Sequence, residues 1–253
     1  MRASLFFLGT GAPDAGSDDM PAVAFKAGSN LFLLDSGEGV QHKLVNIGIG
    51  LSKVSNILIT HLHGDHVLGL VPFIQTRTLM FKPAPPIAIL GPPGLAKYLN
   101  ESFSSLYFDP GNSLEVQELK GSEELKIRGA AIRAELLDHT VFTIGYLVNL
   151  SRDFSLCYLT DTRPLTREDL NLGCSVLIHD STFSWIDLDR AREFKHTTAL
   201  EAAMFAARAG AKLLFLYHIS SRYRDRRFLE SEARRHHPNS HAAAKYMRLN
   251  LVL

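Results

Sequence analysis

The chain has 253 residues, of which 46% are hydrophobic and 21% charged, and its formal net charge is +1. These values are ordinary for a soluble globular protein and allow one large α/β domain or two small ones. Two cysteines are too few for a disulfide framework or a cysteine-based zinc site, and they favour a reducing setting. No apolar stretch reaches the roughly 18 residues of a membrane span, and residues 1–9 are too short for a secretory signal, so we expect a cytoplasmic protein without membrane contact.

Predicted strands and helices follow one another along the whole chain. Apolar, β-branched runs bounded by turn residues predict strands, and apolar residues at helical spacing predict helices. No long linker, repeat or low-complexity segment divides the chain, which predicts a single domain over residues 1–253. The predicted strands are 4–8, 22–27, 30–35, 56–60, 87–90, 130–137, 144–150, 154–159, 176–178 and 212–217, with further short strands from about 114, and the predicted helices are 40–47, 70–80, 95–106 and 199–209.

One run stands out, His61-Leu62-His63-Gly64-Asp65-His66, directly after a predicted buried strand. Residues two apart in an extended chain point to the same side, so His61 and His63 share a face. Asp65 and His66 lie just past the turn, where the start of a helix can return them to the same pocket. The spacing offers one pair of ligands to each of two metal ions about 3.5–4 Å apart. The alternatives are a solvated histidine-rich loop or a tag, and a tag would be terminal and lack the preceding strand.

Potential ligands also follow other predicted strands. His139, Asp161 and His218 each lie at a strand end, as His61 does. In layered α/β folds, functional residues collect in the crevice beyond the strand ends. A single histidine is more often structural than a ligand, but the four positions together with the run predict one site. Asp35 also ends a predicted strand, and for this residue helix capping or turn chemistry is the preferred interpretation.

These motifs resemble the metallo-β-lactamase superfamily and, within it, the ribonuclease Z branch. The resemblance implies an α/β fold, the four-layer αββα sandwich, with a dinuclear zinc site at one edge of the sheets. The His-x-His-x-Asp-His run is specific to the superfamily, and the last two segments point to the branch. The matching segments are Leu8-Gly9-Thr10-Gly11-Ala12-Pro13, the run at 61–66, His139, Asp161-Thr162-Arg163-Pro164, His196-Thr197-Thr198-Ala199 and His218-Ile219-Ser220-Ser221-Arg222-Tyr223.

The resemblance implies a set of metal ligands, carried over residue by residue. The set is His61, His63 and His139 for one ion, Asp65, His66 and His218 for the other, and Asp161 as a bridge. Nitrogen-rich sites with carboxylates suit Zn²⁺, so we expect two Zn²⁺ per subunit, with Mn²⁺ or Fe²⁺ as alternatives. Two divalent ions activate a bridging water and stabilise charge on an attacked phosphorus. Asp65 could also orient that water or accept its proton.

His196 has a different implied role. In the resembling branch, a histidine here works with an acidic residue to donate a proton to the leaving 3′ oxygen. The acidic partner would be Asp180, in His179-Asp180-Ser181-Thr182-Phe183, where the branch usually has glutamate. The shorter side chain leaves the pairing distance open. The alternative for His196 is a residue at a helix N-terminus, and His179 is better interpreted as a core histidine or one that supports the ligands.

One feature of the branch is missing. Its members usually carry a long arm, which grips the tRNA elbow, between the positions of His139 and Asp161. Only about twenty residues separate these positions here, and two predicted strands occupy them. Either tRNA is held in another way, or the substrate is a smaller phosphodiester.

Positive charge gathers late in the chain, where three acidic residues partly offset it. Basic residues near the site would neutralise phosphates and make binding depend on salt. Arg222, four residues after a proposed ligand, is the expected phosphate contact. The alternative is a solvated amphipathic helix. The arginines of this segment are Arg222, Arg224, Arg226, Arg227, Arg234 and Arg235.

We therefore hypothesise a zinc-dependent phosphodiesterase, an endoribonuclease that trims the 3′ end of precursor tRNA. The resembling enzymes are commonly homodimers, so we expect a homodimer. Three alternatives stay open: a phosphodiesterase without the arm that acts on cyclic nucleotides or other small phosphodiesters, a thioester or lactone hydrolase on the same fold, and an RNA-binding module with structural metals. A thioester or lactone hydrolase would have little need for an Asp180–His196 pair.

Overall fold

The computed structural model describes residues 2–14, 16–151, 154–165 and 173–252. Fourteen strands and seven α-helices lie in these ranges. The strands are β1 (Arg2–Gly9), β2 (Ala22–Ala27), β3 (Asn30–Leu34), β4 (Asn56–Leu58), β5 (Ile87–Gly91), β6 (Leu114–Glu118), β7 (Glu124–Ile127), β8 (Ala130–Leu137), β9 (Thr143–Ser151), β10 (Phe154–Leu159), β11 (Val176–Asp180), β12 (Leu213–Tyr217), β13 (Ser240–Ala242) and β14 (Arg248–Val252). The helices are α1 (Val40–Asn46), α2 (Gly64–Val67), α3 (Leu70–Met80), α4 (Leu95–Ser105), α5 (Leu188–Glu193), α6 (Ala199–Arg208) and α7 (Arg227–Arg234).

The chain folds into two compact units. Unit 1 comprises Met1–Gly9, Asp19–Lys120 and Lys245–Leu253, and unit 2 comprises Thr10–Asp18 and Gly121–Ala244. Each unit contains one seven-stranded sheet that mixes parallel and antiparallel pairs. Sheets and helices in both units confirm the predicted α/β class. The single domain over 1–253 stays a prediction.

In unit 1 the strand order is β14-β1-β2-β3-β4-β5-β6. The pairs from β3 to β6 are parallel, so the carboxyl ends of these strands lie along one edge of the sheet. Apolar residues of the strands and of helices α1, α3 and α4 form one core, which includes Leu33, Ile57, Ile89 and Phe73. The neighbouring β3 and β4 thereby bring the residues that follow them close together.

In unit 2 the order is β13-β12-β11-β10-β9-β8-β7, and the pairs from β10 to β13 are parallel. Helix α6 packs an alanine face, including Ala199, Ala202 and Ala206, into the core. It begins with a capping box in which Thr198 and Glu201 satisfy each other's backbone N–H groups. His196 therefore lies two residues before the N-cap and does not cap the helix itself.

Two features of the structure differ from the sequence expectations. Cys157 in β10 and Cys174 form a buried disulfide bond, so the cysteine count does not argue for a reducing setting. Strands β13 and β14 both lie outside the predicted strands, and β14 pairs with β1 from the other end of the chain. Among the described residues, no helix is both long enough and apolar enough to cross a membrane.

Candidate metal centre

Unit 1 gathers imidazoles and carboxylates beyond the ends of β3 and β4. Asp35 follows β3, while His61 and His63 follow β4, and Asp65 and His66 lie in α2. The ring centroid of His61 lies 4.6 Å from that of His63 and 4.2 Å from that of His66. The predicted run thus places its side chains in one cluster.

The buried carboxylate of Asp35 supports this cluster. Its Oδ2 lies 2.7 Å from Nδ1 of His66, and its Oδ1 accepts the backbone N–H of Thr60 at 2.8 Å. The Thr60 hydroxyl lies 3.0 Å from both carboxylate oxygens and 3.0 Å from Nδ1 of His61. With Nδ1 engaged in both rings, Nε2 is the nitrogen that can bind a metal ion.

Asp35 has a larger role than its sequence position indicated. Helix α1 has Gly39 as its N-cap, so Asp35 does not cap this helix, which leaves turn chemistry as the other part of the preferred interpretation. A signal is present in the sequence, since an aspartate at the end of an apolar strand is buried and needs donors to satisfy its charge. Thr60 is predicted only as a strand residue, although its hydroxyl links the carboxylate to His61.

The turn that carries Asp65 and His66 is fixed to the residue after Asp35. Ser36 donates its N–H to the carbonyl of His66 at 2.8 Å, and Gly69 donates to the carbonyl of Ser36 at 2.8 Å. A Cβ at Gly69 would lie 2.1 Å from the carbonyl oxygen of Gly37, so only glycine permits this approach.

Unit 2 gathers five further side chains, all buried, from five segments of the chain. The ring of His196 lies 5.1 Å from the ring of His139 and 5.1 Å from that of His218, measured between centroids. The other two members are carboxylates at or just after the ends of β11 and β10, Asp180 and Asp161.

Three residues that follow strands in the two units have left-handed backbone conformations. The φ angles are 56° at Asp35, 55° at Asp161 and 59° at His218. This region is costly for residues other than glycine, and such strain is retained where the surrounding structure requires it, often at functional sites. The shared backbone feature supports a functional role for all three.

The predicted Asp180–His196 pair is formed. Oδ2 of Asp180 lies 2.7 Å from Nδ1 of His196, so the aspartate reaches the histidine despite its shorter side chain. The carboxylate also accepts the backbone N–H groups of Thr162 and Thr182, each at 3.0 Å. Burial by itself would raise the pKa of Asp180, but the charge and hydrogen bond of His196 outweigh burial and hold that pKa below its usual value.

Thr182 is a second residue that the sequence patterns did not identify. Its hydroxyl donates to Oδ1 of Asp180 at 2.8 Å and lies 2.9 Å from Nδ1 of His218 and 3.2 Å from Nδ1 of His196. It therefore connects the carboxylate to two imidazoles. Thr182 lies in the motif at 179–183, in which only the aspartate carries an implied role.

Within each unit, the spacing of neighbouring donor atoms fits metal ligation. Nε2 of His139 and of His218 lie 3.7 and 3.5 Å from the same oxygen, Oδ2 of Asp161. In unit 1, Nε2 of His66 lies 3.3 Å from Oδ2 of Asp65. Two ligands of one tetrahedral ion with bonds of about 2.0–2.1 Å are roughly 3.4 Å apart. The bridging role of Asp161 stays a prediction.

His196 belongs to the same cluster as the candidate ligands of unit 2. Asp161, His196 and His218 each offer a ligand atom, and these atoms lie within 4.8 Å of one another. Burial lowers the pKa of His139, although the nearby charge of Asp161 acts in the opposite direction. The ring therefore favours its neutral form, which a metal ion requires.

The aromatic ring of Phe183 neighbours both Arg222 and His196. The Arg222 guanidinium stacks 5.0 Å above the ring of Phe183, whose centroid is 6.0 Å from that of His196. It donates to Ser220 at 3.1 Å and lies 3.7 Å from a carboxylate oxygen of Asp187. Its predicted contact with phosphate stays a prediction.

Other charges of the segment 222–237 are paired within unit 2. Arg226 forms an ion pair with Asp18 at 2.7 Å, Arg227 with Asp225 at 2.9 Å, and Arg234 with Glu230 at 3.1 Å. This pairing favours the alternative of a solvated helix.

His179 is a core residue, as expected. Its Nδ1 donates to the carbonyl of Asp180 at 2.8 Å, and its ring packs against Phe205 with centroids 5.3 Å apart. Burial lowers the pKa of His179, so the ring stays neutral.

Comparison with known proteins identifies the family. Residues 30–219 match the beta-lactamase superfamily domain. Ribonuclease Z of Ignicoccus hospitalis is 32% identical over 291 aligned positions, which cover 96% of each chain, and ribonuclease Z of Metallosphaera sedula is 32% identical and covers 98% of each. Human tRNase Z, short form, superposes with a TM-score of 0.84 at 26% identity, over 97% of this chain and 98% of that one. The predicted metallo-β-lactamase sandwich fold is confirmed, and the chain belongs to the beta-lactamase superfamily and, within it, to the ribonuclease Z family.

Proposed function

We propose that this protein is a metal-dependent endoribonuclease that removes the 3′ trailer of precursor tRNA by hydrolysis. The observation that carries the proposal is the buried Asp180–His196 pair, whose histidine ring lies 5.1 Å from the rings of His139 and His218. A protonatable histidine beside candidate metal ligands is suited to protonate a leaving oxygen. The 32% identity to two proteins named ribonuclease Z supports the same substrate class.

The proposed metal ligands are those that the family resemblance assigns. They are His61, His63, Asp65, His66, His139, Asp161 and His218. Two divalent ions, when bound, make water acidic enough to attack near neutral pH and offset the charge that builds up on phosphorus. Zn²⁺ is the proposed metal because the donors are mainly imidazole nitrogens with carboxylates.

The residues of the chain have separate tasks in this proposal. Asp65 accepts the proton of the attacking water. Nε2 of His196 donates a proton to the leaving 3′ oxygen as the bond between phosphorus and that oxygen breaks. Asp180 stays ionised, because its pKa is held below the usual value by His196, and it stabilises the charged imidazolium. Arg222 is the proposed phosphate contact.

The test is cleavage of a precursor tRNA with both product ends mapped. We expect a tRNA that ends in a 3′ hydroxyl and a trailer that begins with a 5′ phosphate. EDTA should abolish cleavage, and Zn²⁺ or Mn²⁺ should restore it. A fully active protein without metal, or products with a 3′ phosphate, would contradict the proposal.

A second candidate is a phosphodiesterase that acts on small substrates. It is favoured by the direct antiparallel pairing of β9 and β10, which occupy most of the chain between His139 and Asp161 and leave no room there for a long arm. Turnover of precursor tRNA, bis-p-nitrophenyl phosphate and 2′,3′-cyclic nucleotides should be compared. Efficient turnover of the small substrates alone would favour this second candidate.

Homodimerisation is a further proposal, which rests on the family resemblance. A cytoplasmic location is another, which rests on the apolar pattern of the sequence. Sedimentation of the purified protein tests the dimer, and fractionation of the source cells tests the location.

A further inference from the structure

Unit 2 contains a cavity of about 750 Å³ that has no role in the proposed reaction. This volume lies in the range of ligand sites, about 300–1,000 Å³. Its walls are Leu136, Leu137 and Asp138 at the end of β8, Arg163, Pro164 and Leu165 after β10, and Arg192 in α5. The lining of the cavity therefore combines leucine and proline residues with two arginines.

The walls of the cavity continue into the proposed active-site residues. Asp138 directly precedes His139, and the N–H of Arg163 donates to the carbonyl of Asp138 at 2.9 Å. Lys195, next to His196, donates from Nζ to the carbonyl of His139 at 2.9 Å. The residues that line the cavity are therefore joined directly to the backbone of His139.

The charge around the cavity favours an anion. Three cations, Arg163, Arg192 and Lys195, face two carboxylates there. Asp138 pairs with Arg163 at 3.7 Å and with Lys195 at 3.0 Å, and Arg192 pairs with Glu201. The side chains of Arg163 and Arg192 are each 44% exposed, so phosphate oxygens can reach both guanidinium groups.

We propose that this cavity binds the sugar–phosphate backbone of the nucleotides that adjoin the scissile bond. The proposal rests on the proposed function as an endoribonuclease. Arg163 and Arg192 hold phosphates through their planar, forked donors, and the leucines contact ribose and base faces. The cavity thereby supplies part of the RNA binding that other members of the branch obtain from the arm.

Direct binding gives the sharpest test. The affinity of a fluorescently labelled precursor tRNA for the metal-bound protein is measured by stopped-flow anisotropy, before cleavage, over about 50–200 mM KCl. For Arg163→Ala and Arg192→Ala we expect about tenfold weaker binding, and a slope of log affinity against log salt that is smaller by about 0.7–0.9 for each arginine. Arg163→Lys should restore the slope but only part of the affinity, because lysine keeps the charge and loses the fork.

Arg190→Ala is the matched control. Arg190 lies in the same helix as Arg192, is exposed, and does not line the cavity. Its removal changes the net charge equally and should leave both affinity and salt slope close to wild type. Because Arg192 also pairs with Glu201, the thermal unfolding midpoint of Arg192→Ala and Arg192→Lys is measured alongside.

Two results separate the inference from the proposed function. If Arg163→Ala and Arg192→Ala bind precursor tRNA as tightly as Arg190→Ala does, the cavity does not bind RNA, whatever the cleavage activity of the protein. If wild-type protein with metal cleaves neither precursor tRNA nor bis-p-nitrophenyl phosphate, the proposed function fails. In that case a loss of RNA affinity confined to the two cavity variants would still support RNA binding in the cavity.

Discussion

The two units support their histidines with the same arrangement of side chains. In unit 1, Asp35 lies 2.7 Å from Nδ1 of His66, and the hydroxyl of Thr60 lies between Asp35 and His61. In unit 2, the carboxylate and hydroxyl belong to Asp180 and Thr182. Asp180 is 2.7 Å from Nδ1 of His196, and Thr182 reaches Nδ1 of His218 at 2.9 Å. In both units the aspartate orients one ring directly and the threonine orients a second.

The difference lies in what the oriented rings do. Both rings in unit 1, His61 and His66, are proposed metal ligands. In unit 2, His218 is a proposed ligand, whereas His196 is the proposed proton donor. An identical carboxylate–threonine support can therefore serve either role, because it holds Nδ1 and leaves the task of Nε2 to the surroundings.

Loss of a ligand should have the largest effect. His63→Ala is expected to lower metal content and to reduce precursor-tRNA cleavage by at least about 10³-fold, because a divalent ion contributes several kcal/mol to transition-state stabilisation. Metal content is measured by atomic emission and activity with added Zn²⁺. Full activity at reduced metal content would contradict the assignment.

Loss of the proton donor should lower activity nearly as much, but without a loss of bound metal. His196→Ala is expected to lower kcat by about 10²–10⁴-fold, the usual contribution of general acid catalysis, with metal content unchanged. Comparison with a substrate that has a p-nitrophenolate leaving group is the control, since this group leaves without a proton and should be much less affected. Equal losses on both substrates would make His196 a ligand instead.

Asp35→Asn tests whether Asp35 supports only the proposed metal ligands and not the proton donor. The neutral amide cannot orient both His61 and His66 as strongly, so metal affinity should fall about 10–100-fold. At saturating metal, kcat should recover. Isothermal titration with Zn²⁺ and kinetics at high Zn²⁺ provide the two readings, and a persistent loss of kcat would count against a role confined to the ligands.

The threonines should give the smallest effects and the closest comparison. Thr60→Val should weaken metal binding only, about tenfold at most, whereas Thr182→Val should weaken metal binding and also lower kcat, since Thr182 contacts both His218 and Asp180. Serine at either position should restore function. Thr143→Val, a buried threonine whose hydroxyl donates to the carbonyl of Val141, is the matched control for packing. If Thr60→Val and Thr182→Val changed metal affinity and kcat in the same way, the proposed difference between the two units would be wrong.

Local patterns in the sequence were sufficient for much of the fold and for the identities of the candidate ligands. Strands such as β8 and β10 are continuous apolar or alternating runs, and the run His61 to His66 carries its spacing within six residues. The motif around Asp180 indicated the pair with His196, and the structure brings the two side chains within hydrogen-bonding distance.

Tertiary structure alone decided the groups that support the ligands. Asp35 lies 25 residues before Thr60 and 31 before His66, and Thr182 lies 36 residues before His218. These hydrogen bonds exist because parallel strands align their carboxyl ends, which no local pattern records. The disulfide of Cys157 and Cys174 and the ion pair of Arg226 with Asp18 also join separate segments of the chain. The sequence by itself determined which residues are proposed to bind metal, and the packing of strand ends decided how those residues are held.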